Sequence, residues 1–173
     1  MSEWLPVIAL LALALLLLAL SWLRRTRSGL PEARVVYADD AHFQRLSAPL
    51  SDAQLGLIGK PDYILKLRDG TAIPVEVKST RAPNQPYETH LIQLAAYCRL
   101  VEASMGARPP YGLLRYADRT FQVDYTPELE TRLRTLIGQA RAAEGDRSAP
   151  NRSHHQPGRC QGCGFQSVCD QKL

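Results

Sequence analysis

Two carboxylates and a lysine lie within one short stretch of this chain of 173 residues. Asp62 follows Gly-Lys-Pro, and Glu76 and Lys78 are two residues apart in Val-Glu-Val-Lys. Carboxylate oxygens are the ligands that Mg²⁺ prefers, and a water bound to such an ion loses a proton more easily. A lysine beside that water favours hydroxide. These residue types at this spacing indicate metal-assisted hydrolysis of a phosphodiester.

A β-hairpin is the element that would bring these three side chains together. The loop is predicted at Asp69-Gly70-Thr71, with the glycine in a left-handed conformation. This loop sets three apolar residues against three others, namely Tyr63, Leu65 and Leu67 opposite Val77, Val75 and Ile73. Asp62 then lies opposite Lys78 and diagonal to Glu76 on the other face. The alternative is an ordinary surface hairpin whose charged face meets solvent.

A helix is predicted over residues 88–104, directly after the hairpin. His90, Gln93 and Tyr97 have the spacing i, i+3, i+7 and share one stripe of that helix. An apolar face lies beside the stripe, formed by Leu91, Leu94, Cys98 and Val101. A polar stripe next to a core face is suited to border a substrate groove. The alternative is a helix whose polar side faces solvent.

In this order, Gly-Lys-Pro-Asp62, Glu76-Val-Lys78 and Gln93-x-x-x-Tyr97 resemble the motifs of the PD-(D/E)XK nuclease superfamily. Within it, the chain looks most like the RecB-like, CRISPR-associated exonuclease family. The tail spacing, with cysteines at 160, 163 and 169, is similar to the C-terminal cysteine cluster of that family. The resemblance covers about residues 34–170.

The resemblance implies a restriction-endonuclease-like α/β fold, in which a mixed central sheet is flanked by helices. It implies that Mg²⁺ or Mn²⁺ is held by Asp62, Glu76 and the carbonyl of Val77. It also implies that Lys78 orients or activates the attacking water. Asp62, Glu76 and Lys78 are therefore the expected catalytic residues.

The resemblance further implies that Gln93 and Tyr97 position a nucleic-acid strand, and His90 on the same stripe is a third candidate for substrate binding. The expected activity is cleavage of DNA, with single-stranded ends as the substrate. Many relatives carry a further ligand upstream, for which His42 is the candidate here. Two alternatives stay open: a catalytically inactive module of the same fold that binds nucleic acid or a protein partner, and a nuclease that acts on RNA.

Three of the four cysteines lie in the last fourteen residues, at Cys160, Cys163 and Cys169. Their spacing lets three sulfurs converge on one metal centre. The resemblance favours a [4Fe–4S] cluster, with Zn²⁺ as the alternative. Candidates for a fourth ligand are Cys98, His154 and His155, although a cysteine on an apolar helix face is more often a buried free thiol. Free thiols and a disulfide are the remaining alternatives, although thiols stay reduced in the cytoplasm. The relatives' upstream cluster cysteine has no counterpart here.

Residues 4–23 are uncharged and almost wholly apolar. As a helix they would span about 30 Å, the thickness of a bilayer core. Trp4 and Trp22 lie at the two ends, and the basic run 24–27 follows. The positive-inside rule then predicts a single-pass anchor in the cytoplasmic membrane, with the N-terminus outside and the catalytic domain in the cytoplasm. A cleaved signal peptide is the rival, but it would need positive charge before the apolar run.

The predicted organisation has four parts. Residues 1–27 form the anchor and its basic flank, 28–144 the nuclease-like domain, 145–159 a linker, and 160–173 the cysteine-rich tail. The net charge of +4 permits nucleic-acid binding without requiring it. Further elements are expected as strands near 34–38 and 55–58, a hairpin over 111–125, and a helix over about 126–143 capped by Thr126.

Overall fold

The computed structural model describes residues 7, 10–17, 33–36, 43–145, 151–152 and 154–173. The strands of these residues are β1 Ala33–Val36, β2 Phe43–Gln44, β3 Leu50–Asp52, β4 Leu57–Gly59, β5 Tyr63–Lys66, β6 Ala72–Val77, β7 Tyr111–Arg115 and β8 Thr120–Asp124. The helices that join or follow them are α1 Glu88–Met105, α2 Pro127–Gly145 and α3 Pro157–Gln161.

Six of the described strands form one mixed sheet in the order β1-β8-β7-β6-β5-β2. β6 and β7 are parallel, and the other neighbours are antiparallel. A parallel pair needs a crossover connection, and α1 supplies it between β6 and β7. β3 and β4 form a separate two-stranded ribbon that contacts α1. The expectation of a mixed central sheet flanked by helices is confirmed.

The β5–β6 hairpin forms as predicted, but its register differs by two residues. Gly70 has a φ of +88°, in the left-handed region. The loop, however, begins one residue earlier, since Leu67 N donates to Thr71 O at 2.9 Å and Gly70 N donates to Leu67 O at 3.0 Å. Asp69 Oδ1 accepts a hydrogen bond from the Thr71 amide at 2.9 Å, which stabilises this earlier turn. Because the shift is an even number, every side chain keeps its face of the sheet.

Both faces of the hairpin contribute to the core. On the α1 side, Ile64 and Ala72 cluster with Val101 of the helix. On the opposite side, Ile73 and Val75 cluster with Leu113, and partly buried aromatic residues pack against them. Since β6 lies between β5 and β7, five of its six residues are buried. This central position explains why β6 reads as a nearly continuous apolar run that ends in Glu76 and Val77.

α1 matches the prediction closely, since it begins at Glu88 and ends at Met105. The four predicted apolar residues are all buried: Leu91, Leu94, Cys98 and Val101. Gly106 ends the helix with a φ of +78° and donates its amide to Glu102 O. The cap of α2 is confirmed too, because Thr126 Oγ1 accepts from Leu129 N at 3.2 Å.

The expected membrane-spanning helix over residues 4–23 is wrong. Among the residues that the structure describes, no helix is long and apolar enough to cross a bilayer. Of this segment, the structure describes residue 7 and residues 10–17 as helical. The remainder of the run from 4 to 23, apart from Val7, and the basic flank lie outside the described residues. The bilayer partner and the single-pass localisation inferred from that helix are withdrawn with it.

By its internal contacts the chain divides into two compact units, Met1–Leu136 and Ile137–Leu173. The first contains the sheet, the β3–β4 ribbon and α1, and α2 begins in it. The second contains the end of α2, the short helix α3 and the three tail cysteines. The predicted site residues of the hairpin and of α1 all belong to the first unit.

Gly112→Ala is expected to lower the free energy of unfolding by about 1–3 kcal/mol. A Cβ at Gly112 would lie 2.7–2.9 Å from three side-chain carbons of Leu94, which is fully buried beneath it. Gly138→Ala is the matched control, since a Cβ there meets open space and alanine favours the helix by about 0.5–1 kcal/mol. Urea denaturation of both variants measures the difference. Equal stability of Gly112→Ala and the wild type would show that α1 does not pack this closely on β7.

Candidate active site

Asp62 lies at the start of β5, between the buried Pro61 and the half-buried Tyr63. Its side chain is exposed, and Oδ2 accepts a hydrogen bond from the backbone amide of Val77 at 2.8 Å. This bond crosses the open end of the hairpin, beyond the last paired residues, Tyr63 and Val75. It takes the place of the predicted pairing of Asp62 with Lys78, and it brings the carboxylate to the end of β6.

Glu76 and Lys78 lie at that same end and are joined by an ion pair. Lys78 Nζ is 2.8 Å from Glu76 Oε1, and Glu76 is 6% exposed. Lys78 N donates to Arg115 O at 2.7 Å, which continues the parallel ladder one residue past β6. The ammonium group therefore extends from a backbone that the neighbouring strand holds in place.

The helix α1 supplies the next contacts of Lys78. Gln93 Oε1 accepts from Lys78 Nζ at 2.8 Å, and Gln93 Nε2 donates to Tyr97 OH at 3.2 Å. A continuous chain of hydrogen bonds therefore runs from Glu76 through Lys78 and Gln93 to Tyr97. The structure thus joins two of the three predicted polar residues of the helix to the residues of the hairpin.

His90, the third residue of the stripe, has a different partner. Its Nδ1 lies 2.7 Å from the hydroxyl of Tyr116. Burial and the nearby charge of Lys78 lower the pKa of His90, so the ring is neutral at pH 7. Burial raises the pKa of Tyr116, which keeps its hydroxyl proton. The two groups therefore share one neutral hydrogen bond, whose direction is set by the tautomer of the ring.

The surroundings of Glu76 raise its pKa. Burial is the largest cause, and the negative charge of Asp62 acts in the same direction, while the hydrogen bond from Lys78 opposes both. Tyr97 responds to the same surroundings, since burial and the two carboxylates raise the pKa of its hydroxyl. Tyr97 therefore stays protonated at neutral pH and can donate a hydrogen bond to an anion.

The donor set of this site fits a hard divalent cation. The repulsion that raises the pKa of Glu76 would be relieved by a positive ion between the two carboxylates. Within the described ranges, no group of three or more His, Cys, Asp or Glu side chains gathers in a way that could hold a metal. Two carboxylates with one backbone carbonyl instead suit Mg²⁺ or Mn²⁺, which retain several waters. His42, the predicted upstream ligand, lies outside the described residues.

The tail cysteines do not form a ligand cluster among the described residues. All four cysteines are free thiols: Cys160 is buried, Cys163 exposed, Cys169 half-buried and Cys98 buried in α1. Cys160 Sγ accepts a hydrogen bond from Leu173 N at 3.5 Å. Burial strongly raises the pKa of Cys98, which is the state of a structural thiol rather than of a ligand. The alternative ligands also bond locally, His154 to the amide of Gln156 and His155 to Arg152.

The exposure of the four thiols predicts their order of reaction with a thiol reagent such as Ellman's reagent. Cys163 should react first and Cys169 more slowly, whereas Cys98 and Cys160 should react only after unfolding. Mass spectrometry after timed labelling identifies each modified cysteine. Protection of Cys163 that disappears when a chelator is added would contradict this order, and would indicate that the tail binds a metal after all.

The fold and the site together define a class of protein. A mixed sheet carries a carboxylate at the start of one strand, and a carboxylate and a lysine at the end of the next, beside a helix that contacts the lysine. A sequence profile described as the PD-(D/E)XK nuclease superfamily matches residues 7–170. The chain therefore belongs to the PD-(D/E)XK nuclease superfamily, whose members are usually metal-dependent nucleases that use Mg²⁺ or Mn²⁺.

Comparison with solved structures finds a similar chain in the crystal structure of SSO0001. The two are 17% identical in sequence, with a TM-score of 0.44, over 95% of this chain and 72% of that one. No curated protein sequence matches the chain.

Sequence reasoning missed a group of residues beside Asp62. Arg45, Lys60 and Tyr63 line a hollow that opens next to this carboxylate. Arg45 directly follows the short strand β2, and its Nη2 donates to Tyr63 OH at 2.9 Å, so the contact joins residues 18 apart in the chain. Phe43 and Arg45 are two residues apart, so an aromatic and a basic side chain share one face of an extended segment. This spacing is the signal that could have indicated the hollow.

Proposed function

We propose that this protein hydrolyses phosphodiester bonds in DNA, with Mg²⁺ or Mn²⁺ as its cofactor and Asp62, Glu76 and Lys78 as its catalytic residues. One observation supports this most strongly. The hairpin brings Asp62 to the end of β6 through its 2.8 Å bond to Val77 N, beside the 2.8 Å ion pair of Glu76 and Lys78. The superfamily to which the chain belongs makes nucleic acid the expected substrate.

In this proposal, Asp62, Glu76 and the carbonyl of Val77 hold the cation. When bound, the cation lowers the pKa of a coordinated water and offsets negative charge on the phosphate. Lys78 directs its ammonium group at the same place, where it orients the attacking water and stabilises charge that develops in the transition state. Its bonds to Glu76 and Gln93 fix the position of Nζ before substrate arrives.

Gln93 and Tyr97 act on the substrate side of the site. Gln93 positions Lys78, and Tyr97 donates its hydroxyl proton to a phosphate oxygen of the bound strand. His90, kept neutral by burial and the charge of Lys78, is a further candidate for contact with the substrate on the same helix. A preference for single-stranded ends follows from the resemblance to the RecB-like, CRISPR-associated exonucleases and not from the geometry of this site.

The test is a cleavage assay on the purified full chain. Labelled single-stranded DNA, duplex DNA and RNA are incubated with Mn²⁺, with Mg²⁺ or with EDTA. We expect cleavage of DNA that requires the metal and disappears in Asp62→Asn. Asp69→Asn is the matched control, because it makes the same chemical change at an exposed position in the loop of the same hairpin.

The outcomes separate the alternatives. Metal-dependent cleavage of RNA alone would favour the nuclease that acts on RNA. Binding of nucleic acid without any metal-dependent cleavage would favour the inactive module. Iron and zinc assays with visible absorbance on an anaerobic preparation test the sequence-based expectation of a [4Fe–4S] cluster or Zn²⁺ at the tail.

A further inference from the structure

A groove extends from Asp62 along the face of the sheet that α1 does not cover. It consists of two adjoining hollows of about 560 and 380 Å³. Tyr63 and Val77 line both hollows and connect them. Val77 is 38% exposed although it belongs to the central strand β6, because nothing among the described residues covers it there. Each hollow has the volume of an ordinary small-ligand site.

The charges of the groove favour an anion. Among the described residues that line it, Arg45, Lys60 and Arg115 are basic, and Asp62 alone is acidic. Lys60 Nζ donates to Ser47 O at 3.3 Å, which holds this side chain along the wall of the groove. A polyanion that reaches the carboxylate end of the groove would therefore pass three cationic groups.

Aromatic rings form the floor between these cations. The rings of Phe43 and Tyr63 are 5.9 Å apart and inclined at 34°. The guanidinium of Arg45 lies 5.2 Å from the Tyr63 ring, and that of Arg115 lies 5.9 Å from the Phe43 ring. Both rings are half-buried and pack from below against the cluster of Ile73, Val75 and Leu113. Tyr63 lines both hollows and Phe43 lines the second, so both residues border the groove.

Alternating aromatic rings and cations are the chemistry that binds a single nucleic-acid strand. Rings stack with bases, and basic groups follow the phosphates. Bases within a duplex are stacked on each other, so only an unpaired base can lie on a protein ring. Asp62 lines the first hollow, and the second shares Tyr63 and Val77 with it, so a nucleotide in the first hollow would lie beside this carboxylate.

We propose that this groove binds an unpaired nucleotide next to the scissile phosphate, with its base on Tyr63 and Phe43 and its phosphate against Arg45 and Lys60. The proposal rests on the proposed nuclease function for the identity of the ligand. It assigns the preference for unpaired strands to this groove rather than to the catalytic residues.

Binding is measured without cleavage, by fluorescence anisotropy of labelled oligonucleotides with the full chain in EDTA. The probes are a single strand, the same strand with abasic sites, and a blunt duplex. The variants are Arg45→Ala and Tyr63→Leu, with Tyr63→Phe to retain the ring. Arg68→Ala is the matched control, since this arginine is exposed in the loop at the far end of the hairpin. Urea denaturation checks that each variant is folded.

We expect the wild type to prefer the single strand over both other probes. Arg45→Ala and Tyr63→Leu should bind the single strand about tenfold more weakly, which corresponds to about 1.4 kcal/mol. Tyr63→Leu should also lose the discrimination against the abasic strand, whereas Tyr63→Phe and Arg68→Ala should keep it.

The proposal is overturned if the wild type binds no strand, if it binds abasic and natural strands equally, or if Arg45→Ala and Arg68→Ala have the same effect. The cleavage assay distinguishes this failure from failure of the nuclease function. If the wild type cleaves DNA and the groove variants bind the single strand as tightly as the wild type, the groove proposal is wrong and the nuclease function stands. If the groove variants bind more weakly but the wild type cleaves nothing, the nuclease function is wrong and the groove is a single-strand binding site.

Discussion

Replacing Lys78 with alanine is expected to lower the rate of metal-dependent cleavage by about 100- to 1,000-fold. The ammonium group lies 2.8 Å from both Glu76 Oε1 and Gln93 Oε1, so it is fixed where negative charge would develop during hydrolysis. The loss should be in kcat, because Lys78 acts mainly in the transition state. Single-turnover kinetics with excess enzyme measures that rate without the contribution of product release.

Lys66→Ala is the matched control for this experiment. Lys66 is exposed on the adjacent strand β5, so its removal changes net charge equally and leaves the site intact. Lys78→Ala also leaves Glu76 without its ion pair, so the free energy of unfolding is measured in parallel. Lys78→Arg keeps the charge, but its planar group cannot reproduce the geometry of Nζ. If Lys78→Ala cleaves any substrate of the wild type at the full rate, Lys78 has no catalytic role.

Replacing Glu76 with glutamine is expected to abolish metal-dependent cleavage without lowering the stability of the metal-free protein. Glu76 is 6% exposed, and burial and the charge of Asp62 raise its pKa. An acid whose pKa is raised on folding binds protons more readily in the folded state. Its ionisation therefore makes the folded state less stable as pH rises from the ordinary value of 4.5 through the raised one.

Glutamine has the same shape and does not ionise, so the difference between variant and wild type isolates this effect. Urea denaturation in EDTA should show little difference at a pH below 4.5 and a relative gain for Glu76→Gln near pH 7.5. Glu144→Gln, at an exposed position of α2, should show no such gain. A loss of stability at pH 7.5 for Glu76→Gln would mean that the ion pair with Lys78 outweighs the cost of burial.

Metal binding provides a second readout on the same variant. A metal that binds the folded state at 100 times its Kd raises the free energy of unfolding by about 2.7 kcal/mol. The wild type should gain stability when Mn²⁺ is added, and Glu76→Gln should lose most of that gain. Equal stabilisation of both proteins would place the cation away from Glu76.

Local sequence signals predicted the elements that position the site, because those elements depend on short-range chemistry. The apolar spacing of α1, the cap at Thr126 and the left-handed Gly70 all follow from residues a few positions apart. The apolar pattern could not decide the register of the hairpin. A loop that begins at Arg68 and one that begins at Asp69 both leave the apolar residues on one face of the sheet. The hydrogen bond between Asp69 and Thr71 decided between them.

The spacing of residues along the chain does not predict contacts between segments that are far apart in the sequence. Arg99 on α1 pairs with the buried Asp52 at 2.6 Å and holds the β3–β4 ribbon to the helix, yet 47 positions separate them. The groove is another such case, since its Arg45 and Tyr63 are 18 positions apart in the chain. The membrane prediction relied on the apolar composition of residues 4–23, and it was wrong, since no helix of the described part of the chain is long and apolar enough to cross a bilayer.

The hydrogen bond from Lys78 N to Arg115 O has a consequence for when the protein can act. The lysine is anchored by a strand that is synthesised more than thirty residues later, after the whole of α1. A nascent chain that ends before β7 contains Gln93 but lacks the strand whose carbonyl holds the Lys78 backbone. The ammonium group is therefore fully positioned only after β7 has been synthesised and has paired with β6.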